Sequence, residues 1–374
     1  VSYRELFNEA HRIATWLKAA GVCQGELVVL VTTGGIDFIP FLLALTKLKV
    51  LCAPLVQTRA KDEMSESIER LKPIWILSPT SESDEPVNQI SCFEKYSYGV
   101  VRYSYEQRNL GGELQDGGYV RNTSGTTGIK KGVCISHQSA RARIEALCTT
   151  NLVHSGERVL CALQLPFHFI ASLLYFIERG AEIITVKSSL PHDFVTLLKK
   201  SQAHIIYCSP YHVALIAESV EVPQSLRQII STSQALPVEL AQRVRDKHGV
   251  SVLQVLGNIE AGVPTINNEQ MLRTGEFEPL GVPIQGYEVG LRTSDGKEFF
   301  HSRASEIPFT EGELLLRGPG LFYCYLEPYT SRAMVLENGW FATGDVVQWG
   351  NDGVIHYRGR AKSCINIGGM KVFP

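Results

Sequence analysis

The sequence has no stretch of about 18 uninterrupted apolar residues, so it contains no candidate membrane-spanning helix. It has no C-x-x-C pair, and its nine cysteines are an odd number, which suits neither a zinc framework nor a complete disulfide set. Several of them, such as Cys52 and Cys208, stand inside apolar runs. They read as buried free thiols of a reducing compartment, and a cytoplasmic location is the expectation. Neither sign of charge is in large surplus: the net charge is -2, with no basic tail, which argues against a general nucleic-acid surface. Repeats and low-complexity segments are absent. Val1 opens directly into a helical pattern with no signal-peptide pattern, and the absent Met suggests that upstream sequence was removed or lost.

What is present is an ordinary globular balance over 374 residues, 44% hydrophobic and 20% charged, long enough for one body built from subdomains. Residues 3–20 place Leu6, Ala10, Ile13, Ala14 and Leu17 on one helical face, and Gly21 ends the pattern. Short apolar runs at 27–31, 50–54 and 74–77 read as buried strands, and the segments 36–48 and 60–71 between them as helices. The alternation returns with strands at 159–163, 183–186, 204–208 and 228–231 and helices at 170–179 and 238–248. Strands alternating with helices predict a largely parallel sheet. From about residue 275 the texture changes to short runs broken by glycines and acidic turns, which predicts antiparallel β structure.

The segment 122–133, "NTSGTTGIKKGV", carries the strongest chemical signal. Its glycines let the backbone approach phosphate oxygens, its N–H groups and hydroxyls donate hydrogen bonds, and lysine adds charge. It has neither the G-x-x-x-x-G-K-[ST] spacing nor the following helix of a Walker A loop. A strand-like "VCIS" follows instead.

This segment resembles the phosphate-loop signature of the adenylate-forming superfamily: acyl- and aryl-CoA ligases, adenylation domains of nonribosomal peptide synthetases, and luciferases. By that resemblance Thr123, Ser124, Gly125, Thr126, Thr127, Gly128 and Lys131 cradle the outer phosphates of ATP. Further motifs follow in the family's order. "STSQALP" resembles the adenine-side loop, with Ser233, Gln234 and Ala235 beside the base. "LGNIEAG" supplies Leu256, Gly257 and Asn258 to the nucleotide and carries a magnesium-binding glutamate, Glu260. "GELLLRGPGLFYCY" resembles a structural β segment. "GWFATGD" ends in Asp345, expected on the ribose hydroxyls, with Arg360 as a second ribose contact and Lys362 at an interdomain hinge. Each motif alone fits an ordinary turn or solvated charge; their joint order carries the resemblance across nearly the whole chain.

The resemblance implies an α/β fold of two subdomains with mixed sheets plus a distorted antiparallel β-barrel. Residues 1–358 would form the large N-terminal domain, its β-rich part at about 275–358. Residues 359–374 would hold the hinge and the start of a C-terminal domain that is missing here, along with the lysine that domain contributes to adenylation. It further implies ATP and Mg²⁺ as cofactors, activation of a carboxylic acid as acyl-AMP with Lys131 and Glu260 as the catalytic groups, and transfer to a thiol of coenzyme A or a carrier-protein phosphopantetheine. An amino-acid-activating domain and a weakly catalytic nucleotide-binding homologue are the alternatives. The chain departs from the pattern at Lys130, where proline is usual, at Leu256, where an aromatic ring stacks on adenine, and at Ile259, where a threonine contacts the α-phosphate. The lost hydroxyl removes a bond worth roughly 1.5–3 kcal/mol.

Substrate residues come from the segment 163–176, "LQLPFHFIASLLYF", which aligns with the family's pocket helix. Phe167, Phe169, Leu173 and Phe176 suggest an apolar wall, with His168 near the carboxylate or at the pocket mouth and Ser231 on a neighbouring strand. No acidic residue occurs from 164 to 177 to pair with a substrate ammonium, and a buried ammonium without a counter-charge costs several kcal/mol. An acyl or aryl acid lacking an α-amino group is therefore expected.

Overall fold

The computed structural model describes the chain apart from residues 58–60, 81–87, 106–111, 123–130, 187–189, 272, 274–275, 301–309, 351–352, 362–364, 368–369 and 373–374. It divides into two compact units.

The first unit comprises Val1–Arg141, Gln164–Phe169 and Phe322–Arg332. Its opening helix, Tyr3–Ala19, begins with a capping box in which Ser2 and Glu5 satisfy each other's amides. Ala10, Ile13, Ala14 and Leu17 are buried at helical spacing, as expected. Three hydrophobic strands follow, Leu27–Thr32, Leu51–Val56 and Trp75–Pro79, with the first pairing in parallel to both others. The run Leu27–Thr32 is buried at every position, which explains why it reads as continuous rather than alternating hydrophobicity. This parallel centre is extended at both edges to nine strands. On one side Gly118–Asn122 joins in parallel and then pairs antiparallel with Gly132–Ser136. Both ends of the phosphate-loop segment are therefore held on neighbouring strands, with Asn122 opposite Gly132.

The second unit comprises Ala142–Leu163, Ile170–Leu321 and Ala333–Pro374. Five parallel strands, Glu182–Thr185, Arg158–Cys161, Ile205–Cys208, Gln228–Ser231 and Ser251–Asn258, lie in that spatial order. The helices Pro191–Ser201, Pro210–Glu218 and Val238–His248 cover them through Phe194, Leu198, Val213, Ile216, Ala241 and Val244, all buried in one cluster with Ile206, Ile229 and Val252. Ser251–Asn258 then turns back on Gly262–Ile266 as an antiparallel hairpin with a register shift between Leu256 and Asn258. The β-rich region is a five-stranded antiparallel sheet built on Thr310–Arg317 and Phe341–Trp349. Its ladder runs from Glu298–Phe300 to Ile355–Arg360, and among the described residues no ladder joins those two edges.

The expected helix over 170–179 is helical through Glu178 but not uniformly α. It is a π-helical stretch Ile170–Leu174 continued by an α-turn Tyr175–Glu178, with a further α-turn Leu165–His168 before it. A five-residue widening of the helix leaves no mark on an apolar periodicity this short, and such insertions recur at functional sites. The eight cysteines among the described residues are all free; six are buried, but Cys23 is exposed. No helix among the described residues is long and apolar enough to cross a membrane.

Candidate active site

In the first unit, Thr123, Ser124, Gly125, Thr126, Thr127 and Gly128 lie outside the described residues, as does Lys362 of the expected hinge. Their flanks are informative. Lys131 is exposed immediately before the strand Gly132–Ser136, with its Nζ 4.5 Å from the centre of the Tyr325 ring. On the other flank Asn122 Oδ1 is buried with no hydrogen-bond partner among the described residues. Phe167 presents surface, being 43% exposed, whereas Phe169 is fully buried and packs edge-on against Phe38 and Tyr119. Burial pushes the His168 imidazole down to about 3, and the positive charge of Arg121 adds to the shift. His168 is therefore neutral at neutral pH.

In the second unit, Phe176 packs edge-on against Tyr207 and Leu173 is fully buried. Of the four residues expected to form an apolar wall, only Phe167 is exposed.

The expected adenine-side loop and the "LGNIEAG" segment meet in this unit. Ser233 and Gln234 are exposed and Ala235 is half-buried. Ser233 holds φ at 77°, the left-handed region in which a non-glycine residue is uncommon. A Cβ added at Gly257 would come within 2.9 Å of Thr232 Oγ1, so glycine is what allows the two segments to touch. Leu256 is half-buried beside it. Asn258 Oδ1 accepts from the Glu260 and Ala261 amides at 2.9 and 3.0 Å, which occupies its acceptor in the turn. Ser231 is fully buried at the end of its strand, and its Oγ has no partner among the described residues.

Asp345 and Arg360 are register partners on adjacent antiparallel strands, with Arg360 Nε 2.9 Å from Asp345 Oδ1. Arg360 also donates to the Thr343 carbonyl at 3.2 Å, and Thr343 Oγ1 accepts from the Asp345 amide at 3.0 Å. Burial nevertheless pushes the Asp345 carboxyl up to about 6. Arg360 opposes that shift, while the negative charges of Glu260 and Glu313 reinforce it. Among the described residues no set of three or more His, Cys, Asp or Glu side chains could cage a metal. Glu313 was read in the sequence only as part of a structural β segment. Its Oε1 accepts from the Gly344 amide at 3.0 Å, at the register shift of the ladder between Thr310–Arg317 and Phe341–Trp349 that precedes Asp345. Nothing in the text around Glu313 marks that role, because its partner lies 31 residues away.

The profile described as "AMP-binding enzyme" matches residues 1–326. The chain belongs to the AMP-binding enzyme family. Curated relatives include a dimodular nonribosomal peptide synthase of Bacillus subtilis, 26% identical over 395 residues, where the match covers all of this chain and 16% of that protein. The p-hydroxybenzoic acid–AMP ligase FadD22 of Mycobacterium tuberculosis is 25% identical over 387 residues, covering all of this chain and 52% of that protein. The chain thus spans about half or less of the length of these relatives. Among solved structures, o-succinylbenzoate CoA synthetase of Bacillus subtilis in complex with its acyl-adenylate intermediate superposes with a TM-score of 0.81 at 22% identity, over all of this chain and 76% of that one. ATP-bound MatB from Rhodopseudomonas palustris gives 0.80 at 21% identity with the same coverage. This likeness establishes the fold: the mixed-sheet α/β architecture of the N-terminal domain of adenylate-forming enzymes.

Proposed function

We propose that this AMP-binding family member activates a carboxylic acid with ATP as its acyl-adenylate and passes the acyl group to a thiol of coenzyme A or a carrier-protein phosphopantetheine. The observation that carries this reading is the Asp345–Arg360 pair, buried on one side and open on the other. Asp345 is 8% exposed and Arg360 57% at the side chain, with the Glu260 charge close enough to act on Asp345. An acceptor held this way suits the two ribose hydroxyls, while Ser233, Gln234, Ala235, Leu256 and Gly257 would border the base.

A carboxylate is already a nucleophile at neutral pH, its pKa being about 4, so attack on the α-phosphorus needs no general base. The demand is electrostatic, because negative charge grows on the phosphate oxygens and the leaving pyrophosphate. Lys131 and the loop from Thr123 to Gly128 would meet it on the outer phosphates. Glu260 would hold Mg²⁺; a single protein carboxylate, with phosphates and water as the remaining ligands, suits an ion that keeps much of its hydration. When bound, the ion would neutralise phosphate charge. The neutral His168 ring and the exposed Phe167 would face an acid rather than an ammonium. Since residues 164–177 hold no acidic side chain, the reading extends to an acyl or aryl acid without an α-amino group; the free, mostly buried cysteines suit a reducing, cytoplasmic setting.

The test is ATP–pyrophosphate exchange across alkanoic, aryl and α-amino acids. Exchange with alkanoic or aryl acids supports the reading. A clear preference for α-amino acids overturns the substrate class, and no exchange with any acid overturns the activity.

A further inference from the structure

A buried guanidinium is costly unless its N–H groups all find acceptors. Arg143, on the helix His137–Cys148, is 2% exposed. Its Nε donates to the Gly320 carbonyl at 2.6 Å, Nη1 to Ile259 O at 3.2 Å and Nη2 to Glu260 O at 2.8 Å. All three acceptors belong to the main chain. Two glycines make room for the side chain. A Cβ on Gly262, where φ is +91°, would meet Arg143 Cδ at 2.8 Å, and one on Gly320 would meet Arg143 Cγ at 2.6 Å. The next carbonyl, Ala261 O, accepts from Tyr287 Oη at 2.6 Å. On the amide side, Asn258 Oδ1 holds the N–H groups of Glu260 and Ala261. The turn bearing Glu260 thus has three consecutive carbonyls and two amides fixed by side chains, and Arg143 and Tyr287 reach it from 116 and 26 residues away.

We propose that Arg143 is a positioning residue: it locks the backbone of the 258–262 turn so that the Glu260 carboxylate is pre-organised for the metal-bound nucleotide, with Tyr287 as its auxiliary. Arg143 touches no reacting atom and acts only through the main chain. A turn ordered before binding loses no entropy when the metal arrives. This inference rests on the metal-holding role given to Glu260 above.

The experiment combines two readouts on the folded chain: hydrogen–deuterium exchange of a peptide spanning 255–265, and calorimetric titration with ATP at varied Mg²⁺, with adenosine as a metal-independent control. Arg143→Lys keeps the charge but loses the planar fork. It is expected to speed amide exchange at Glu260 and Ala261 at least tenfold. It should also raise the Mg²⁺ needed for half-maximal ATP affinity about tenfold, with adenosine affinity changed less than threefold. Tyr287→Phe should give a smaller shift in the same direction. Adding Arg143→Lys to Glu260→Gln should shift Mg²⁺ dependence no further than Glu260→Gln alone. Equal loss of adenosine and Mg-ATP affinity, or additive effects in the double variant, would assign Arg143 to general structure and overturn the proposal. Should Arg143→Lys fail to fold, Tyr287→Phe decides by the same criteria. A Glu260→Gln chain with unaltered Mg²⁺ dependence removes the metal-holding role itself, and the inference with it; an effect of Glu260→Gln without one of Arg143→Lys defeats this inference alone.

Discussion

Two carboxylates in the second unit are buried and paired with arginine, and they differ in a way that separates architecture from chemistry. Glu278, fully buried, takes ion pairs from Arg245 at 2.8 Å and Arg273 at 3.1 Å, both arginines being largely buried as well, and a hydrogen bond from Asn267. Asp345 has one arginine, itself 57% exposed, and two like charges nearby. Cation outweighs anion around the first, whereas around the second a carboxyl is held near its titration point. A saturated cluster ties the segment beyond Asn267 to the helix Val238–His248. An under-compensated one would suit a ligand's hydroxyls, the role proposed for Asp345.

Removing the partner-rich carboxylate should have the largest effect. Glu278→Ala leaves two arginines without their anion, and breaking a buried pair costs about 3–5 kcal/mol. Urea unfolding should record that loss, while adenosine affinity of the folded protein stays within about threefold. Asp345→Asn should reverse the pattern. Its unfolding midpoint should hold or rise at neutral pH, and adenosine should bind about tenfold to a hundredfold more weakly, following the roughly 1.5–3 kcal/mol of a hydrogen bond to a charged group. Large stability loss at Asp345, or large affinity loss at Glu278, would collapse the distinction.

Titration sharpens it. A carboxyl raised to about 6 in the folded state keeps its proton there longer than in the unfolded chain. Its contribution to stability is therefore present at low pH and fades as pH rises from about 4 through about 6. Ligand binding runs the other way, because hydroxyls donate best to the ionised form. Adenosine, which has no phosphate to titrate in this range, should bind more tightly as pH rises, with about a tenfold change per pH unit below about 6. Asp345→Asn should abolish that slope. The smallest effect is expected at Arg360→Met. With Arg360 itself 57% exposed the ion pair contributes only about 0–1 kcal/mol, yet loss of the opposing charge should move the adenosine inflection to higher pH. An inflection unmoved or lowered would mean that Arg360 does not hold the Asp345 charge.

The same contrast governs how much was legible in the sequence. The strands Leu27–Thr32 and Gln228–Ser231 and the helix Tyr3–Ala19 emerge within two residues of their expected bounds, because continuous burial or a one-sided apolar face writes itself into local text. The helix His137–Cys148 has little apolar periodicity and was not anticipated. The hairpin of Gln89–Cys92 with Tyr96–Arg102 was also missed, since a four-residue alternation is too short to register. In the site, Asp345, Arg360 and Glu260 stand in recognisable motifs. Arg143, Glu313 and Tyr287 do not, since what each does depends on a carbonyl or amide brought near by folding. Glu278 left no signal either: its arginines are 33 and five residues away, and no local pattern links them.

In the proposed reaction a carboxylate oxygen of the substrate attacks the α-phosphorus of ATP. That attack is tested most directly by turning over an acid labelled with ¹⁸O in its carboxylate, chosen for its pyrophosphate exchange, and reading the products by mass spectrometry. Attack by the carboxylate should leave one ¹⁸O atom in AMP and none in pyrophosphate. Label in inorganic phosphate, or none in AMP after turnover, would contradict it.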